Sequence, residues 1–144
     1  MRNKRIIELF GKERRLNREL NRKTERYAEL VEKAISTGSF RYDQEKVTGS
    51  ILDGSRQERI VAEYMLLEEE VQELTERLYE VQMQIAKLIS KLPPRERRLM
   101  CDRHIKHENP EEIMKRYEIT YETYRTYHCR AMKRMENMMQ NGSP

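Results

Sequence analysis

The longest regular pattern in the chain is a heptad repeat of apolar residues between positions 60 and 92. Successive apolar positions are separated alternately by four and three residues without interruption. This spacing places them on one side of an α-helix and is typical of a coiled-coil seam. The helix is predicted to start at Asp53 or Ser55 and to end before Pro93. The seam consists of Ile60, Tyr64, Leu67, Val71, Leu74, Leu78, Val81, Ile85, Leu88 and Leu92.

A less regular apolar face predicts one long helix over residues 3–35. The face is interrupted at Glu13 and at Lys23 or Thr24. Its apolar members are Ile6, Leu9, Leu16, Leu20, Tyr27, Val31 and Ala34. The segment that follows, "STGSFRYDQEKVTGSILDGS", contains three glycines and four serines and is predicted to be a linker over about residues 36–55.

Charge is distributed unevenly along the chain, although the net charge is only +4. Residues 2–35 are basic, with eleven Lys/Arg and six Asp/Glu. Residues 56–90 are acidic, with four Lys/Arg and eight Asp/Glu. The seam can pair with the first helix or with a second copy of the chain. The opposite charges favour an antiparallel hairpin, in which exposed ion pairs add only about 0–1 kcal/mol each and the apolar seam supplies the stability.

Two short helices are predicted directly after the double proline. The first, "PRERRLMCDRHI", starts with a proline and directs Leu99, Met100 and Ile105 inward. The second, "NPEEIMKRY", has Asn109 as its N-cap and Pro110 at its first helical position. The two glutamates of its first turn lie where the helix dipole favours acidic side chains.

The last helix is predicted from Tyr121 to about Met139, after a tight turn formed by "EIT". Thr120 supplies the N-cap, and Ile119 precedes it as an apolar staple. The side of this helix predicted to face inward carries Tyr124, Tyr127, Ala131, Met132, Met135 and Met138. The side predicted to face outward is polar and basic.

Two short helices joined by a three-residue turn, the second basic on its outer face, form the pattern of a helix-turn-helix motif. A helix reads the major groove when its exposed N-terminal turns carry hydrogen-bonding side chains. The predicted base-reading residues are Tyr121, Glu122, Thr123, Arg125 and Thr126. The predicted phosphate contacts, which position the protein without specifying sequence, are Arg95, Arg97, Arg98, Lys115, Arg116, Arg130, Lys133 and Arg134.

Residues 92–135 resemble region 4 of the sigma-70 family. The resemblance rests on "LP" at 92–93, "EEI" at 111–113, "IT" at 119–120, Arg125, "RAM" at 130–132 and Met135, and it covers about a third of the chain. It implies contacts of Tyr121, Glu122, Thr123 and Thr126 with a promoter −35 element, and core positions for Tyr117, Tyr124 and Tyr127. Two residues depart from the family pattern: Met114 stands where Gly or Ala is preferred, and Glu118 where the turn often has Gly.

The order of segments also resembles the small phage late transcription regulators of the ArpU/RinA type. These proteins share a charged helical N-terminus, a long heptad helix and a C-terminal module similar to sigma-70 region 4. No sigma region 2 is discernible in the sequence. We therefore do not expect an independent sigma factor that melts promoters.

A reactive or metal-binding site is the competing interpretation of the C-terminal histidines and cysteines. Cys101, His104 and His107 are spaced three residues apart, and His128–Cys129 could complete a zinc site. On a helix this spacing spreads the first three side chains over about 240°, because each residue turns by roughly 100°, so they converge poorly on a tetrahedral ion. No metal or cofactor is expected. An enzyme is not expected either, because the sequence has no paired carboxylates, phosphate-binding glycine loop or nucleophile triad.

Composition limits the class of protein. Charged residues make up 38% of the chain and hydrophobic residues 37%, which suits long helices that bury a narrow stripe. No apolar run approaches the roughly 20 residues of a membrane span, and the N-terminus is too charged for a signal peptide. Two cysteines without an export signal indicate reduced thiols and a cytoplasmic location.

The sequence predicts an all-α protein in which residues 1–92 form a helical hairpin or coiled-coil oligomerisation region and residues 93–140 a helix-turn-helix module. The predicted function is a sequence-specific, phage- or prophage-encoded transcription regulator that binds double-stranded DNA and recruits RNA polymerase. It would act as a monomer, homodimer or higher oligomer. One alternative is a subunit of the small terminase type that recognises packaging DNA as a ring. Another is a coiled-coil protein that docks on RNA polymerase without reading DNA.

Overall fold

The computed structural model describes residues 3–36 and 50–142, and every regular element within these ranges is helical. The five α-helices are α1 (Lys4–Ser36), α2 (Ser50–Ser90), α3 (Pro94–Met100), α4 (Pro110–Tyr117) and α5 (Tyr121–Gln140). A π-helical segment, Cys101–Ile105, follows α3 directly. The predicted all-α class is confirmed. Within the described ranges, no helix is both long and apolar enough to cross a bilayer.

Helix α2 starts earlier than the sequence suggests. It begins at Ser50 instead of at a cap on Asp53 or Ser55, so residues 50–55 belong to the helix and not to the linker. Extending an existing helix costs far less free energy than starting one, which allows α2 to continue through Gly54. The rest of the predicted linker, residues 37–49, lies outside the described residues.

The described chain forms two compact units, and both long helices contribute to each of them. Residues 16–77 form one unit, which we call the hairpin unit, and residues 1–15 and 78–144 form the other, which we call the terminal unit. The sequence places its boundary near residue 92 instead. The reason for the difference is that Ile6, Leu9 and Phe10 of α1 are core residues of the terminal unit.

In the hairpin unit, α1 and α2 pair in antiparallel orientation. Lys23 Nζ lies 2.5 Å from Glu70 Oε2, whereas four residues later Tyr27 donates a 2.8 Å hydrogen bond to Tyr64. Residues further along α1 therefore contact residues nearer to the start of α2, as in an antiparallel pair. Lys23, which interrupts the apolar face of α1, is neutralised by this acidic partner on α2. The buried residues of the unit are Leu30, Ala34, Ile60, Leu67 and Leu74.

The heptad positions of α2 are the ones that the fold buries. Nine of the ten predicted positions lie in α2, and Leu92 follows its end. Eight of the ten are buried, Tyr64 and Val71 are half-buried, and Ile89 is buried outside the heptad. Near the C-terminus of α1 the buried positions are Leu30 and the predicted Ala34, whereas the predicted Val31 is half-buried. The core of the terminal unit is formed by Ile6, Leu9, Phe10, Leu78, Val81, Ile85, Leu88, Ile89, Leu92, Leu99, Met100, Ile113, Tyr124, Ala131, Met132 and Met135.

The π-helical segment changes which side chains of the region after α3 face inward. Leu99 and Met100 are buried as predicted, but the prediction for Ile105 is wrong, since 43% of it is exposed. The π turn is closed by the Lys106 N–H, which donates to the Cys101 carbonyl at 2.9 Å. An i to i+5 turn shifts the helical register by one residue. Asp102 consequently occupies the buried position and Ile105 turns outward.

The turn after α4 holds Glu118 in the left-handed conformation, at φ 53° and ψ 46°. The Ile119 N–H donates to the Met114 carbonyl at 3.0 Å and the Glu118 N–H to the Lys115 carbonyl at 3.4 Å, which are the two bonds of a Schellman motif. A residue with a Cβ atom adopts this conformation at a cost of about 1 kcal/mol. The resemblance to sigma-70 region 4 implies that glycine often occupies this position.

Glu118→Gly is expected to raise the free energy of unfolding by about 0.5 kcal/mol. Glycine removes the left-handed strain, and the gain is reduced because glycine also makes the unfolded chain more flexible. Urea unfolding followed by circular dichroism measures the change. Glu118→Ala keeps the strain while removing the charge, so equal stabilisation by alanine would show that the backbone is not the cause.

Candidate nucleic-acid interface

Both helices of the α4–α5 pair start at side-chain caps. The Asn109 side chain accepts a 3.1 Å hydrogen bond from the Glu111 N–H, and Pro110 occupies the first turn. Thr120 Oγ1 accepts a 3.2 Å hydrogen bond from the Thr123 N–H. Both predicted caps are confirmed. Because each cap satisfies an otherwise free N–H group, the short helix α4 and the start of α5 are fixed by local sequence.

Helix α5 is anchored along one side to the core of the terminal unit. It packs against α3, and α4 contributes the fully buried Ile113. The anchoring side chains Tyr124, Ala131, Met132 and Met135 are buried, and Tyr127 and Met138 are half-buried. The opposite side of α5 is thereby held in a fixed orientation towards solvent.

The predicted base-reading residues differ in what their side chains do. Tyr121, Glu122, Arg125 and Thr126 are exposed on the first two turns of α5. Thr123 is half-buried, and its Oγ1 accepts a 3.0 Å hydrogen bond from Thr120. Thr123 therefore serves the cap of α5. Four side chains remain exposed on this face, although the Thr126 hydroxyl donates a 2.9 Å hydrogen bond to the Glu122 carbonyl and is left only as an acceptor.

Arg116 is engaged in an internal charge cluster and is not a free surface cation. Its guanidinium contacts Asp102 Oδ2 at 3.1 Å and both carboxylate oxygens of Glu108. The hydrogen bond to Glu108 raises the pKa of Arg116, and the same bond lowers the pKa of Glu108. Tyr117 also donates to Asp102, which raises the pKa of its phenol. Arg116 thus ties α4 to the π-helical segment, and we remove it from the phosphate-binding set.

Arg134 has a similar structural role. Its Nε lies 3.1 Å from Oε1 of Glu96, a carboxylate that is buried in α3, without the geometry of a hydrogen bond. This ion pair links α5 to α3. This pairing is not predictable from sequence, because the two residues are far apart along the chain. Arg134 is therefore also removed from the set of free cations.

Two arginines of α3 line a cavity next to α5. Arg95 donates a 3.0 Å hydrogen bond to the Tyr127 hydroxyl, and Arg98 lies in the same wall. The cavity has a volume of about 350 Å³ and is also lined by Leu99, Tyr117, Ile119 and Tyr127. Among the described residues, no acidic side chain is part of its lining. The cavity is consequently more favourable for an anion than the neighbouring surface around Arg116.

The remaining predicted phosphate contacts are exposed and available. Within residues 3–36 and 50–142, no acidic side chain pairs with Arg97, Arg98, Lys115, Arg130 or Lys133. Arg125, one of the base-reading candidates, is equally exposed and unpaired within these ranges. These side chains, together with Arg95, form the positive part of the interface.

Two of the three histidines that suggested a metal site, His104 and His128, instead form a half-buried pair. His104 Nε2 lies 3.1 Å from His128 Nε2. The ring of His104 stacks on Phe10, with centroids 4.0 Å apart and planes inclined by 3°, and His128 stacks on Tyr124 at 5.8 Å. Burial lowers the pKa of His104 to about 3 and also lowers the pKa of His128. One neutral ring therefore donates to the other.

The cysteines do not join this pair. Cys101 is half-buried and Cys129 is exposed, and both are free thiols. In the part of the chain that the structure describes, no three His, Cys, Asp or Glu side chains are grouped so that they could hold a metal ion.

Comparison with known proteins finds no matching family model and no significant match among curated proteins or solved structures.

Proposed function

We propose that the protein is a sequence-specific DNA-binding transcription regulator of sigma-70 region 4 type, encoded by a phage or prophage. The observation that carries the proposal is the exposed face of α5. Four polar side chains occupy its first two turns, and unpaired cations follow on the same helix and on α3. A recognition helix needs this combination, because base edges are read by hydrogen bonds and phosphates are held by positive charge.

The chemistry of each side chain determines the role that we propose for it in DNA binding. Arg125 donates two hydrogen bonds to guanine or contacts a phosphate, and Glu122 accepts from cytosine. Arg130 and Lys133, further along α5, bind phosphates and position the helix without reading sequence. Arg95 and Arg98 bind phosphate oxygens at the cavity beside α5. The regulator would act by recruiting RNA polymerase to the promoter that it reads.

Replacing Arg125 and Lys133 together by alanine is expected to weaken binding to a duplex by at least about tenfold at low salt. The logarithm of the affinity should fall linearly with the logarithm of the salt concentration, and the double variant should reduce the slope by about 2 if both side chains contact phosphates. Fluorescence anisotropy with a labelled duplex measures both quantities. Selection from a random duplex pool then defines the site that the wild-type protein reads.

The matched control is the Arg22→Ala, Arg59→Ala double variant, which removes two exposed arginines from the hairpin unit. Its net charge equals that of the first variant, so a general charge effect would weaken both equally. Unchanged affinity in the Arg125 and Lys133 variant, combined with no dependence on salt, would reject DNA binding through α5. Circular dichroism melting of both variants checks that they remain folded.

A further inference from the structure

A second surface of the terminal unit has features that DNA binding does not use. The last turns of α2, the π-helical segment and Glu13 of α1 line a cavity of about 320 Å³. Its outer rim is formed by Tyr79, Met83 and Ile105, of which 62%, 44% and 43% are exposed. Large apolar side chains that are exposed together at the mouth of a cavity are typical of a binding surface.

The inner wall of this cavity carries a buried carboxylate. The side chain of Glu13 is only 5% exposed, although it lies on the apolar face of α1. Its contacts within the described ranges are both to Oε2: His107 Nε2 lies at 3.3 Å, and Gln82 Nε2 donates at 3.5 Å. No donor among the described residues contacts Oε1. Among the described residues, the buried side-chain oxygen without a hydrogen bond is Glu96 Oε1 and not Glu13 Oε1, so Glu13 Oε1 is accessible from the cavity. A carboxylate in a largely buried site is stabilised by a cationic donor.

The backbone around the cavity is also unusual. His107, which lines it, has φ 58°, a left-handed conformation that residues with a Cβ atom seldom adopt. The π-helical segment supplies His104 and turns Ile105 outward to the rim. Both irregularities shape this one surface, which a regular continuation of α3 would not form.

We propose that this cavity binds an arginine side chain of a partner protein. The guanidinium would face Glu13 Oε1, its aliphatic stem would pack on Met83 and Ala86, and apolar neighbours of the arginine would cover Tyr79 and Ile105. Arginine fits better than lysine because its planar group donates two parallel hydrogen bonds to a carboxylate and stacks on an aromatic ring. A buried charged anchor surrounded by apolar contacts is the usual arrangement of a protein–protein hot spot.

Charges of both signs lie around the cavity. Glu80, exposed one turn before Met83 on α2, does not line the cavity. Arg14 and Arg103 lie close enough to help lower the pKa of His104, but neither contacts Glu13. Nucleic acid is an unsuitable occupant, because its phosphates would meet a buried carboxylate. The proposal does not depend on DNA binding.

The probe is the peptide N-acetyl-Leu-Arg-Leu-amide, titrated into the full chain and followed by the methyl signal of ¹³C-labelled Met83. The arginine peptide is expected to shift this signal in a saturable manner. The peptide with citrulline in place of arginine has nearly the same shape without the charge, and it should bind at least tenfold more weakly. Equal binding of the two peptides, or no binding of the arginine peptide, would overturn the proposal.

Variants distinguish the contribution of the Glu13 carboxylate from that of the apolar rim. Glu13→Gln is expected to reduce affinity for the arginine peptide at least tenfold while leaving the weak citrulline binding unchanged. Tyr79→Ala, at an exposed position, should also weaken binding of the arginine peptide. It replaces Glu13→Gln as the test variant if Glu13→Gln does not fold. The matched control is Ile7→Ala, because Ile7 is 51% exposed in the same unit but does not line the cavity. Unaltered binding in both Glu13→Gln and Tyr79→Ala would contradict the assignment. Self-association of the chain that is lost in Met83→Glu would also contradict it, because the occupant of the cavity would then be a second copy of this chain.

Discussion

The free energy of unfolding is expected to fall by about 2 kcal/mol between pH 7 and pH 5 because of His104 alone. In the folded chain its pKa is lowered to about 3, mainly by burial and further by His128 and nearby arginines, whereas in the unfolded chain it titrates near 6.5. Below pH 6.5 the unfolded state therefore binds a proton that the folded state does not. Stability is fully present above pH 6.5 and is lost progressively as the pH falls towards 3.

The geometry explains why the folded state resists this proton. At 3.1 Å the Nε2–H of one imidazole donates to Nε2 of the other, and a proton on the accepting nitrogen would leave two donors facing each other. Burial under Phe10 and Tyr124 keeps water from relieving that conflict. The pKa of His128 is lowered as well, so it adds to the loss in the same direction.

Urea unfolding at a series of pH values measures this effect, with His104→Gln as the test variant. Glutamine can still hydrogen-bond to His128 but does not titrate, so the slope of stability against pH between 6.5 and 5 should decrease by about one proton. His107→Gln is the matched control, since this histidine is more exposed and lies outside the pair. The same slope in wild type and in His104→Gln would assign the acid sensitivity to other groups.

Glu136→Ala is expected to lower the free energy of unfolding by about 2 kcal/mol. Glu136 is buried on α5, and its Oε1 accepts a 2.9 Å hydrogen bond from the backbone N–H of Ile6 in the first turn of α1. Alanine would leave that N–H group buried without a partner, since Ile6 is fully buried. It would also remove a negative charge from the positive end of the α1 dipole.

Two measurements distinguish this cap from a general loss of packing. Amide hydrogen exchange at Ile6 should accelerate more in Glu136→Ala than exchange at amides in the middle of α5. Glu136→Gln keeps an oxygen acceptor of the same shape and should lose less than half as much stability as alanine. If glutamine and alanine were equally destabilising and Ile6 remained protected, the hydrogen bond would not be the source of the stability.

The exposed face of α5 was largely predictable because the signals that create it are local. Thr120 caps the helix, and the apolar residues that recur from Tyr124 to Met135 decide which side is buried. The side chains between them are left exposed as a consequence. The roles of Thr123, Arg116 and Arg134 could not be predicted, because each depends on a partner that only the folded chain brings near.

The candidate cavity at Glu13 could not be predicted from the sequence either. The sequence marks Glu13 as an interruption of an apolar face, which is a sign of a buried carboxylate with a special role. It gives no indication that the cavity exists, because the walls come from α2 and from a π-helical segment about 90 residues away. No periodic pattern predicts a π turn, which inserts one residue into an otherwise regular helix.

The sequence by itself determined the all-α class, the buried stripe of α2 and the caps at Asn109 and Thr120, because helical periodicity and capping act over a few neighbouring residues. Only the tertiary structure decided that α1 contributes to both compact units and that Glu136 accepts a hydrogen bond from Ile6, 130 residues earlier in the first turn of α1. It also paired His104 with His128. The physical reason is that a buried polar group is stable only beside a complementary group, and the core of the folded chain selects that neighbour.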